Sequence, residues 1–301
     1  MIKNENGLKD PRDRRGLPEE FDDEMQKPPG TQVEMEPVPD SGEECYVGNG
    51  RLKGRKAFIT GGDSGIGRAI AIAYAREGAE VVINYLPSDK EDKDAKSLKE
   101  LLAQEGITLH CVPGDIATEE GAKRIVREAE KILGQIDILV LNAGTQRASH
   151  DLEEITYDQL LQTFNLNVFS PFWMVQEIYK DMPAGSTIIF TSSSEFYKPA
   201  PKLTEYAASK YAIVGLSRSL AKQLIEQGIR VNTVCPGSTW TPLEISGGLK
   251  KEDIPTHGSG CLMKRSAQPY EIAGVYVFLA SEEASFVTCA VYGVDGGMQT
   301  V

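Results

Sequence analysis

The sequence predicts one doubly wound α/β domain, a parallel sheet of about seven strands flanked by helices over residues 51–301, preceded by an extended arm over 1–50. Three observations predict it. Short apolar runs alternate with helix-period segments from Lys56 to Val294, a glycine-rich turn separates the first strand from the first helix, and the first fifty residues differ in composition from the rest.

The arm holds six of the sixteen prolines and sets six basic against thirteen acidic residues. A segment so polar cannot offset the entropy of ordering by itself, so it is expected either disordered or laid extended over the domain or a neighbouring subunit. Tyr46-Val47-Gly48 is the candidate anchoring point.

The domain opens with strand Ala57–Thr60, the glycine turn, a helix over Arg68–Glu77 closed by Gly78, and strand Glu80–Tyr85. Such a βαβ unit requires parallel strands and a right-handed crossover. A helix over Lys90–Glu105 carries a solvated charge run, and strand Leu109–Val112 follows. The alternation continues through helix Glu119–Leu133, strand Ile136–Leu141, helix Tyr157–Tyr179, strand Thr187–Thr191, helix Glu205–Gln227 and strand Arg230–Cys235. Helix Pro269–Ser281 and strand Ala290–Val294 complete it. The stretch from Thr239 to Arg265 is broken by glycine and charge, as a loop closing over a substrate would be.

A net charge of −12 argues against a nucleic-acid or anionic-membrane partner, because the long-range field repels both. Five scattered cysteines without a Cys-x-x-Cys suggest neither disulfides nor a metal site, and the charged N-terminus has no apolar signal core. A cytoplasmic location is the expectation. His110, His150 and His257 have no evident acid partner and no Gly-x-Ser-x-Gly elbow is present, so a hydrolase reading has little support.

Two motifs carry chemistry. The turn Thr60-Gly61-Gly62-Asp63-Ser64-Gly65-Ile66-Gly67 stands where backbone N–H groups and the positive helix end would meet a pyrophosphate, the place for it in a Rossmann-type fold. Tyr206 and Lys210 share one helix face at i and i+4. A phenol ionises near pH 10 in water, so a neighbouring ammonium that favours phenolate makes the pair an acid/base device.

With these two motifs in order, the chain from Leu52 to Val301 resembles the short-chain dehydrogenase/reductase family. Its arm, turn and Trp240-Thr241-Pro242-Leu243 look most like a bacterial branch of general-stress and glucose-dehydrogenase-like oxidoreductases. The resemblance implies a catalytic set of Asn167, Ser193, Tyr206 and Lys210, with Asn167 holding a water that connects Lys210 to solvent. It also implies that Asp115 and Ile116 meet the adenine, that Asn142, Ala143 and Gly144 line the cofactor cleft, and that Pro236, Gly237, Thr239 and Thr241 lie beside the nicotinamide. Asn84 and Tyr85 stand where relatives read the ribose 2′ position, and neither an acid nor a base follows that strand; Lys90 is diluted by Asp89 and Glu91. NAD or NADP is therefore implied, with NAD favoured.

The activity implied is hydride transfer between nicotinamide and a carbonyl or alcohol, with Tyr206 as general acid/base and a homotetramer as the assembly. Apolar positions beyond one stripe on two helices, among them Phe169, Phe172, Trp173, Ile213, Val214 and Leu216, are candidates for subunit contacts. The alternatives are a catalytically silent NAD(P)-binding sensor or scaffold, and an epimerase or dehydratase on the same fold.

Overall fold

Strands rich in Val, Ile and Phe without polar alternation are buried on both faces, and here they form the centre of the chain. The computed structural model describes residues 9–22, 25–248 and 250–298. Its elements are β1 (Lys56–Thr60), α1 (Gly65–Arg76), β2 (Glu80–Tyr85), α2 (Glu91–Gln104), β3 (Leu109–Pro113), α3 (Glu119–Leu133), β4 (Ile138–Leu141), α4 (Tyr157–Phe164), α5 (Ser170–Ile178), β5 (Thr187–Thr191), α6 (Thr204–Leu224), β6 (Arg230–Pro236), α7 (Pro242–Ser246), α8 (Pro269–Ala280) and β7 (Val291–Val294). The seven strands form one parallel sheet in the order β3-β2-β1-β4-β5-β6-β7.

Successive side chains feed opposite cores. Ala57, Ile59, Val81, Ile83, Ile138 and Val140 join one cluster with residues of α1, α2 and α8, while Phe58, Val82, Leu139 and Leu141 join another with α3, α5 and α6. Alanines at 69, 71, 73 and 75 let α1 approach closely, and the buried Tyr74 hydroxyl donates to the Tyr276 carbonyl at 3.0 Å. The strand order reverses between β1 and β4, and such a point is where open α/β sheets bind ligands.

The chain between Tyr157 and Tyr179 is not one uninterrupted α-helix, as the sequence predicts; Asn165–Phe169 is a π-helical turn between α4 and α5. The Ser170 N–H bonds the Asn165 carbonyl, five residues back. Pro171 explains the change: it has no N–H for the Asn167 carbonyl four residues before it, so the α-helical ladder breaks there. Smaller differences sit at element ends. α1 begins at Gly65, β4 at Ile138, and α6 gives way at Ile225–Gln227 to a 3₁₀ turn closed by Gly228 at φ +76°.

The described part of the arm lies against the domain with one short 3₁₀ turn, Gln32–Glu34. The Tyr46 hydroxyl donates to Glu77 Oε1 at 2.7 Å, and Arg51 Nη2 reaches the same oxygen at 2.6 Å. Burial alone would raise the Glu77 pKa, yet the bonds from Arg51 and Tyr46 hold it at about 2. Further along, Leu17, Phe21 and Met35 form a small third core with Trp240, Ile245 and Ile254, in which Phe21 stacks on Trp240 at 4.1 Å.

Candidate active site

A cavity of about 720 Å³ opens at the carboxyl ends of β1 and β4. Of the site positions predicted from sequence, all line it except Gly67 and Asn167, which stand behind its wall. Gly67 is structural: a Cβ there would overlap the Gly61 carbonyl oxygen, so only glycine lets α1 close on the turn.

Tyr206 and Lys210 occupy adjacent turns of α6, both buried. The ammonium nitrogen stands 5.2 Å from the phenol ring centroid and donates to the Thr191 carbonyl at 3.1 Å. Burial raises the Tyr206 pKa above its ordinary value; a hydrogen bond with the Ser193 hydroxyl opposes that rise, and the carboxylates of Glu244 and Glu195 add to it. Burial also lowers Lys210 to about 8. A neighbouring ammonium favours the phenolate, the influence that works against both effects of burial. Ser193 is placed by the end of β5, where its Oγ also accepts from the Glu195 N–H at 3.2 Å and caps a 3₁₀ turn.

Asn167 is fully buried in the π-helical turn. Its Oδ1 accepts from the Thr145 N–H at 2.8 Å, and its Nδ2 donates to the Thr145 carbonyl at 2.9 Å and Ser209 Oγ at 3.0 Å. Both amide protons are thus committed to protein. What the turn leaves without its i+4 donor is the Asn167 backbone carbonyl. Gly144 sits between this asparagine and the lysine, since a Cβ there would lie 3.3 Å from Asn167 Oδ1 and 3.4 Å from Lys210 Nζ.

At the other end, Asn142 ties the glycine turn to β4, donating from Nδ2 to the carbonyls of Thr60 at 3.2 Å and Gly61 at 3.1 Å. Gly61 and Gly65 take φ of +61° and +52°, and a Cβ on Gly61 would lie 3.1 Å from Ala143 Cα. The turn therefore leaves a cradle that side chains would fill, open to the cavity, which suits a pyrophosphate.

Asp63 and Glu91 form a buried pair beside this cradle. Burial raises the pKa of Asp63 as well as Glu91, and a side-chain hydrogen bond joins the two carboxyls. Burial, then the bond to Asp63 and its negative charge, push Glu91 up to about 10. Arg68, the neighbouring guanidinium, is committed to Glu43 Oε1 at 2.9 Å, the Asp94 carbonyl at 3.1 Å and Ser97 Oγ at 3.0 Å. Lys90 pairs with Glu34 of the arm at 3.6 Å. Asn84 does not turn outward; its Nδ2 donates to the carbonyls of Val112 and Gly114, both at 3.0 Å, and joins the ends of β2 and β3.

Several lining residues were not visible in the sequence. Pro28, Pro29 and Gly30 come from the arm, and Glu195, Lys202, Glu244, Asp253 and His257 surround the substrate end. The expectation that His257 lacks an acid partner is corrected: its Nε2 lies 3.1 Å from Glu244 Oε2, and its Nδ1 lies 2.7 Å from Ser266 Oγ. Thirteen positions separate His257 from Glu244, and only the folding of the 239–265 loop joins them.

Fold, cradle and phenol–lysine pair define a nucleotide-dependent oxidoreductase, and comparison with known proteins gives the same answer. Residues 61–299 match a family model described as enoyl-(acyl carrier protein) reductase. The chain is 52% identical over 278 residues to the Escherichia coli protein named uncharacterized oxidoreductase YghA, covering 92% of this chain and 94% of that one. It is 40% identical over 273 residues to glucose and ribitol dehydrogenase of Daucus carota, covering 89% and 93%. Among solved structures, a blue fluorescent protein from a metagenomic library in complex with NADPH superposes with a TM-score of 0.75 at 34% identity, covering 82% of this chain and 99% of that one.

The chain belongs to the short-chain dehydrogenase/reductase family. It is an NAD(P)-dependent oxidoreductase acting on alcohol and carbonyl groups. Among the described residues no helix is long and apolar enough to cross a membrane.

Proposed function

We propose that this protein interconverts a neutral, hydroxyl-rich carbonyl compound and its alcohol, with Tyr206 as the group that gives and takes the proton. The observation that carries this is a buried phenol bonded to the Ser193 hydroxyl, 5.2 Å from an ammonium, on the wall of the cavity that also holds the glycine turn. The dinucleotide, when bound, supplies or accepts the hydride. Its phosphates suit the N–H groups of Ser64 and Ile66, its adenosine the positions Asp115 and Ile116, and its nicotinamide end Asn142–Gly144, Pro236, Gly237, Thr239 and Thr241.

In reduction Tyr206 donates its proton to the substrate oxygen while Ser193 orients that oxygen; in oxidation the phenolate removes the proton. Lys210 favours the phenolate, and the Asn167 carbonyl, which Pro171 leaves without an i+4 donor, holds the water through which Lys210 reaches solvent. NAD is favoured over NADP, because the two carboxyls of Asp63 and Glu91 stand beside the adenosine end and the nearby Arg68 is already paired.

The substrate class follows from charge. Glu195 and Glu244 both disfavour negative charge on Tyr206, and Lys202 is paired with Asp253 at 2.8 Å. Carboxylates accept bonds from hydroxyls and repel acids, and the carrot relative is named for glucose and ribitol. Exposed Phe169 and Phe172 support a homotetramer, whereas Ile213 and Val214 lie in the core and are corrected as contact candidates.

Initial rates of NAD(P)H absorbance change across aldoses, alditols, neutral aldehydes and keto acids test the reading. Turnover of neutral polyhydroxy compounds over acids is expected. Tight dinucleotide binding without turnover anywhere in the panel would instead support the silent sensor.

A further inference from the structure

The arm crosses the cavity mouth, and within four residues it touches three separate parts of the domain. Gly30 lies against α7 so closely that a Cβ would stand 2.9 Å from the Pro242 carbonyl oxygen and 3.2 Å from Ser246 Cβ. Gln32, itself buried, accepts the Gly65 N–H on Oε1 at 2.7 Å and donates from Nε2 to Ser41 Oγ at 3.1 Å. The backbone N–H groups of Gln32 and Val33 are both taken by the Asp94 carboxylate on α2, at 2.7 and 3.0 Å. Gln26 locks the segment from behind: its Oε1 accepts the Thr31 N–H at 2.6 Å and its backbone N–H bonds the Ile245 carbonyl at 3.0 Å.

We propose that residues 26–33 form a strap over the bound dinucleotide, with Gln32 as a positioning residue that acts through Gly65 to fix the pyrophosphate turn. Three facts support it together. Gly65 is the first residue of α1 and sits at positive φ, a conformation that an external hydrogen bond helps to hold. Pro28, Pro29 and Gly30 line the cavity itself, so a ligand in it is covered by the arm. The same short segment joins the cofactor turn to α7 of the substrate loop, so loosening one loosens the other. Two prolines ahead of Gly30 stiffen the crossing at low entropic cost.

This inference rests on the NAD(P)-binding reading above. The test measures NADH and NADPH dissociation constants and dissociation rates by cofactor fluorescence, with Tm alongside, for the wild type, Gln32→Ala and Gly30→Val. Losing the bond to Gly65 is expected to speed dissociation and raise Kd about tenfold, and Gly30→Val, which pushes the strap off α7, is expected to raise both Kd and the KM for substrate. A purely structural role would lower Tm and leave dissociation rates within about twofold of wild type, and that result in the folded variants would overturn the strap. A wild type that binds neither dinucleotide would sink the functional reading first, and the strap with it.

Discussion

One cavity holds a buried titratable pair at each end, and burial acts on the two in the same direction with different results. At the substrate end it favours neutral phenol and neutral amine in Tyr206 and Lys210; at the adenosine end it favours the acid form of Glu91 beside Asp63. Opposite signs make the first pair responsive, because the ammonium draws the phenol toward ionisation and the Ser193 bond assists. Like signs make the second static: burial raises both carboxyls, and ionising both would leave two negative charges in contact. Burial perturbs both pairs, but the charges attract in the first and repel in the second.

The sharpest way to break this contrast is Tyr206→Phe. It removes the proton while keeping the ring, and turnover is expected to fall by about 10²–10⁴ with dinucleotide binding retained. Steady-state rates together with cofactor fluorescence check it. Near-wild-type turnover would make the substrate-end pair as static as the other.

Glu91→Gln probes the static pair and has a smaller effect. Glu91 is raised from 4.5 to about 10, so the stability that it contributes is fully present below about 4.5 and is lost as pH rises toward 10. Glutamine keeps a donor for Asp63 and does not titrate. The variant should therefore melt close to wild type at pH 5 and a few degrees above it at pH 9, by calorimetry. An equal offset at both pH values would mean that Glu91 holds no shared proton.

How much of this was legible depends on how local the cause is. Periodicity and glycine spacing place the strands and the turn, because backbone geometry there depends on neighbouring residues. The i, i+4 placement of Tyr206 and Lys210 is legible for the same reason. The π-helical turn was not, although its cause, Pro171 four residues after Asn167, stands in the sequence: apolar periodicity continues across it and hides the broken ladder. The role of Gln32 and the partner of His257 were illegible on other grounds. Gln32 meets Gly65 across 33 positions, and His257 meets Glu244 inside a loop without regular period. Acidic, proline-rich composition suggests solvent, yet Phe21, Met35 and Gln32 are buried, because a few well-placed contacts decide where such a segment lies.

The most direct test of the central claim, that Lys210 makes Tyr206 a usable acid/base, is the pH dependence of kcat/KM for alcohol oxidation in wild type and Lys210→Met. The account predicts that the rising limb, set by phenol ionisation, moves upward in the residual activity of the variant. A limb that stays at its wild-type position would contradict it.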